Sequence, residues 1–87
     1  MDNYGQLFNE AVASQIRAER AAAGITVAEL VTASGLSKSK VLRLIHAQRD
    51  IDARDIALIT RALGMDPALL IQRAQARMQA TETTTQG

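Results

Sequence analysis

The chain has no cysteine and no tryptophan, and Tyr4 and Phe8 are the only aromatic residues among its 87. Without cysteine there are no disulfides, thiolate zinc sites or cysteine nucleophiles. So few aromatics leave no stacking platform for single-stranded nucleic acid. The lone histidine, His46, has no second histidine or cysteine to join it in a metal site or a catalytic pair. No apolar run approaches the roughly 18 residues of a membrane span, and the N-terminus lacks a signal-peptide profile. These absences read as a soluble, cytoplasmic protein with no metal, no cofactor, no membrane partner and no small-molecule ligand. No phosphate-binding glycine loop or nucleophile constellation is present, so no enzyme is read.

The apolar fraction is nevertheless 47%, supplied by Ala, Leu, Ile and Val, which suits one folded domain. A chain this short buries roughly 60% of its unfolded surface, so self-association would add stability. The net charge of +1 says little as a total, but its distribution is uneven. Lys38, Lys40, Arg43 and Arg49 follow one another without an acid until Asp50, and the remaining acids lie elsewhere. That segregation gives a local positive footprint on a nearly neutral protein.

Glycine and proline fall where five helices need punctuation, and no strand is read. Phe8, Val12, Ile16 and Arg20 form a four-residue stripe on a first helix that ends before Gly24. Thr26-Val27-Ala28-Glu29 matches a capping box and opens a short second helix over 27–34. Gly35 makes a turn, Leu36 plugs the core, and Ser37 caps a third helix over 38–47 with Val41 and Leu44 inward. Asp52 caps a fourth helix that Gly64 ends, with Asp55 supporting its first turn; this pair reads as a cap and not as catalytic carboxylates. Asp66 and Pro67 open a fifth helix, reaching about Met78. The expected organisation is a domain over 1–79 and a disordered tail over 80–87, where TETTTQG has nothing to bury.

Two short helices joined by Ala33-Ser34-Gly35-Leu36-Ser37, the second of them basic, read as a helix-turn-helix. Gly24-Ile25-Thr26, Ala28-Glu29-Leu30, Ser34-Gly35-Leu36-Ser37 and Ala62-Leu63-Gly64-Met65 occur in the order and spacing of the lambda-repressor/Cro family, which the chain resembles over about 16–71. The resemblance implies an all-α, compact five-helix domain that binds double-stranded operator DNA, usually as a homodimer, with the helix-turn-helix formed by helices two and three. Three positions depart from the family pattern. Val27 stands where a Gln is common. Ile45 stands where a Glu often pairs with the Arg at position 20, and Ala47 replaces a frequent Gly.

The outward start of helix three supplies the expected base contacts, Lys38, Ser39, Lys40 and Arg43, with Lys40 equally suited to a phosphate. Thr26, Ser37, Gln48 and Arg49 sit at helix starts and in a loop, where contacts to the DNA backbone fix register. Leu42, Ile45, Leu58 and Leu69 fall on outward positions of helices three to five. The resemblance implies self-association around helix five, which makes Leu58, Leu69, Ile71 and Met78 the candidate dimer surface. Leu42 and Ile45 alternatively pack on helix one in the space of the absent Arg–Glu bridge. The function that follows is a phage Cro-like or immunity repressor that occludes promoter DNA, with no effector domain expected. An antitoxin-like interaction module that autoregulates through the same domain is the alternative.

Overall fold

The computed structural model describes the backbone over residues 3–86 and side chains over 3–80. Five helices follow in order: α1 (Tyr4–Ala23), α2 (Val27–Ser34), α3 (Lys38–Ile45), α4 (Ala53–Leu63) and α5 (Pro67–Gln86). No strand occurs among the described residues. Helix α1 packs most extensively against α5, while α2 packs on α4 and α3. Each helix contributes to one core, in which Val12, Ile16, Leu30, Val41, Leu44, Ile59 and Leu70 have lost essentially all contact with solvent.

Local chemistry sets most of the boundaries. The Thr26 hydroxyl accepts from Glu29 N–H at 3.1 Å while the Glu29 carboxylate accepts from Thr26 N–H at 2.9 Å, completing the capping box. Asp52 and Asp55 repeat that exchange at the start of α4. Asp66 accepts from Ala68 N–H at 2.8 Å beside Pro67. Gly24 and Gly64, both at φ +69, close α1 and α4 in a left-handed conformation. The residue after each glycine returns a hydrogen bond five positions back, to Arg20 and Thr60 respectively, the double-bonded helix end known as a Schellman motif.

Three expectations need correction. Helix α3 ends at Ile45, not Ala47. Ala47 lies at φ +56, and the amides of Ala47 and Gln48 bond back to the carbonyls of Leu44 and Arg43. The Schellman end has formed without its usual glycine. Ile45, placed outward with Leu42, Leu58 and Leu69, is buried at 3% exposure. Val41, Leu44 and Ile45 share one face at three- and four-residue spacing, and the second of the two alternatives holds: Ile45 joins the core and Leu42 packs half-buried against it. Leu58 and Leu69 are half-buried as well. Helix α5 continues past Met78 to Gln86, because no Gly or Pro interrupts 79–86. The disordered tail expected over 80–87 otherwise falls on side chains beyond 80 and on Gly87, outside the described residues.

A polar seam registers α5 on α1. Arg73 donates to Glu19 at 2.6 Å, Gln15 donates to the same carboxylate at 2.7 Å, and Arg77 Nε donates to Gln15 Oε1. The Arg73 guanidinium, and after it the Gln15 amide, hold the Glu19 carboxyl below its ordinary value.

Candidate nucleic-acid interface

The turn between α2 and α3 is built almost wholly from its own residues. Ser34 is buried; its hydroxyl donates to Val31 O at 3.3 Å and accepts from Leu36 N–H at 3.2 Å. Gly35 sits at φ +76 and returns its N–H to Val31 O at 3.1 Å. The Ser37 hydroxyl accepts from Lys40 N–H at 3.1 Å. With the turn fixed in this way, Val41 and Leu44 point into the core and Lys38, Ser39 and Arg43 are presented to solvent.

Among the exposed side chains, Arg43 is already oriented. Its Nη2 donates to Ser39 Oγ at 2.7 Å and its Nε to Ser39 O at 3.4 Å. These bonds hold the guanidinium along the start of the helix, with further N–H donors left to offer. Ser37 accepts through its hydroxyl oxygen as a cap, so its hydroxyl hydrogen remains a donor suited to a phosphate oxygen. The Thr26 hydroxyl caps α2 in the same way but also faces the Glu29 carboxylate. Gln48 and Arg49 are exposed in the loop that follows α3.

Lys40 departs from the outward set. Its Nζ lies 3.0 Å from Asp55 Oδ1, and the side chain keeps only 25% exposure. The buried carboxylate on the neighbouring helix draws the ammonium inward, and sequence spacing carries no sign of that neighbour.

Other residues that position the surface also lacked a sequence signal. Arg17 Nη1 donates to Ile45 O at 2.5 Å, placing a cation at the C-terminal end of α3, where the helix dipole favours it. Asn9 donates to Arg49 O at 3.2 Å and accepts from Ile51 N–H at 2.8 Å. Arg20 donates to Ile25 O at 2.8 Å, yet its buried Nε has no hydrogen-bond partner among the described residues.

Among the described residues no cluster of His, Cys, Asp and Glu fits a metal ion, and no helix is long and apolar enough to cross a membrane.

The model of the family described as "Helix-turn-helix domain" matches residues 11–71, more than half of the chain. The chain belongs to the helix-turn-helix domain family. Solved structures agree. The clp gene regulator ClgR from Corynebacterium glutamicum is 28% identical in one structure, with a TM-score of 0.77 over 82% of this chain and 92% of the other. A second ClgR structure is 25% identical, with a TM-score of 0.84 over 91% of this chain and 84% of the other. The restriction-modification controller protein C.AhdI from Aeromonas hydrophila is 28% identical, with a TM-score of 0.67 over 70% of this chain and 92% of its own. No curated protein matches. The architecture is that of DNA-binding regulators of the lambda-repressor/Cro type, as the resemblance implied. In this helix-turn-helix, α2 and α3 are the two helices that the turn joins.

Proposed function

We propose that this chain is a sequence-specific double-stranded DNA-binding regulator that represses transcription by covering promoter DNA, in the manner of a Cro-like or phage immunity repressor. One observation carries the reading: the exposed start of α3 presents Lys38 and a pre-oriented Arg43 on a helix without an acid. Arg43 and Lys38 read base edges, since both donate to guanine O6 and N7. Ser39 acts through Arg43 as well as facing the groove. Thr26, Ser37, Gln48 and Arg49 hold the DNA backbone. The similar structures support a regulator, one being a clp gene regulator and another a restriction-modification controller protein.

The homodimer is part of the same proposal. Leu58, Leu69 and Met78 are half-buried in the folded chain, and Ile71 is shared with the core. A two-fold contact through them would set two recognition helices about 34 Å apart, reading an inverted repeat.

Selection of bound sequences from random duplexes tests the function. A symmetric enriched motif is the expected result, and binding without enrichment overturns sequence specificity. Replacing Arg43 with Ala is expected to cost about 1–3 kcal/mol of discrimination at one base pair; unchanged affinity for selected and random duplexes alike removes Arg43 as a reader. Sedimentation at several concentrations with and without duplex tests the dimer, and a monomer throughout removes it.

A further inference from the structure

Three cations lie on the recognition helix, and the structure treats one of them differently. Lys38 and Arg43 are exposed, whereas Lys40 is drawn to Asp55 at 3.0 Å. Asp55 is fully buried and anchored: its N–H donates to Asp52 Oδ1 at 2.8 Å, and its Oδ2 accepts from Asp52 N–H at 3.3 Å. Its Oδ1 accepts no aligned hydrogen bond among the described residues, so the charge of Lys40 is what compensates it there. For Lys40 to reach a phosphate it would have to leave a buried carboxylate unpaired, which is strongly unfavourable.

We infer that Asp55 withholds Lys40 from DNA and is thereby a specificity-determining residue. The inference rests on the DNA-binding reading of α3. A phosphate contact strengthens binding to every sequence alike. Neutralising Lys40 inside the fold keeps binding to random sequence weak and leaves the recognition helix to discriminate through Lys38 and Arg43. The same pair joins α3 to the first turn of α4, so Asp55 also sets how the recognition helix sits on the domain.

The test measures binding of the full chain to a random-sequence duplex across a range of salt concentrations. Asp55→Asn is expected to free Lys40 and steepen the slope of log affinity against log salt by about 0.9, one additional phosphate contact. Random-duplex affinity rises with it at low salt. Lys40→Gln with Asp55 intact leaves the slope at the wild-type value, and the double variant returns to it. An unchanged slope in folded Asp55→Asn, or a slope flattened by about 0.9 in Lys40→Gln, overturns the inference. Circular dichroism establishes which variants fold. If only one single variant folds, it decides. If neither does, the double variant decides: a wild-type slope supports the inference and a flattened one overturns it. Wild-type protein that binds no duplex at any salt overturns the DNA reading and the inference together, whereas the slope outcomes strike the inference alone.

Discussion

The turn before α3 and the loop after it differ in construction. Ser34, Gly35 and Ser37 hold the turn through hydrogen bonds that span four residues or fewer. The loop over 46–52 relies on side chains from α1, with Arg17 reaching Ile45 across 28 positions and Asn9 reaching Arg49 and Ile51 across 40 and 42. The side that presents Lys38 and Arg43 is thus largely self-sufficient. The side that presents Gln48 and Arg49 borrows its shape from the scaffold. The proposed base readers and the proposed backbone contacts should therefore respond to different mutations.

Asn9→Ala is expected to have the largest effect on stability. It removes both bonds to the loop and strands the half-buried Ile51 amide, at a cost of about 2 kcal/mol. Chemical denaturation reads that loss, while DNA binding should weaken on selected and random duplexes by the same factor. A change in sequence preference would break the division between loop and turn. Ser37→Ala removes a cap and should cost about 1 kcal/mol, and it should blunt sequence preference through the start of α3. Ala47→Gly runs the other way. An L-residue in the left-handed well is disfavoured by about 1–2 kcal/mol, part of which glycine gives back as backbone entropy. A net gain of about 0.5 kcal/mol in unfolding free energy is expected. A loss there would mean that Ala47 is held by packing and not strained.

The pH dependence is the smallest effect. The Thr26 amide and then its hydroxyl hold the Glu29 carboxyl below its ordinary value of 4.5, and the Asp55 amide foremost holds Asp52 below 3.8. Arg73 and Gln15 do the same for Glu19. Lowered folded-state values mean that this stabilisation is complete above the ordinary carboxylate range and fades as pH falls through the lowered values. Thermal melts at neutral pH and toward pH 3 should show the decline. Thr26→Val, which removes the hydroxyl side of the cap on α2, should shrink it, and an undiminished decline would assign it to Glu19 and Asp52.

The contrast between turn and loop also marks how far the sequence was legible. Capping boxes and glycines act over three or four residues, so Thr26, Gly35, Ser37, Asp52 and Gly64 announce their structures from local sequence alone. The end of α1 and the bounds of α2 followed from such signals. Ala47 gives no such sign, because nothing in an alanine marks a left-handed conformation, and α3 was expected to run two residues too far. In an eight-residue helix, periodicity fixes the centre of the buried face but not its width, which is why Ile45 was placed outward. Asp55 was legible as part of a cap, but not as the partner of Lys40, since that meeting depends on where the first turn of α4 comes to lie beside α3. Asn9 and Arg17 were silent for the same reason: their partners lie far along the chain.

The helix ends at Gly24, Ala47 and Gly64 carry the same pair of backbone bonds on different residues. The closing amides of Ile25 and Met65 lie 3.1 and 3.0 Å from their acceptors, while that of Gln48 lies closer, at 2.7 Å. Bond length alone would rank Gln48 as the slowest of the three to exchange its amide hydrogen for deuterium. Exchange follows the free energy of local opening, however, not the length of the bond in the closed state. Opening lets Ala47 relax out of the left-handed well, a release that neither glycine obtains. Gln48 should therefore exchange ahead of Ile25 and Met65, making the end of α3 the first of the three to breathe.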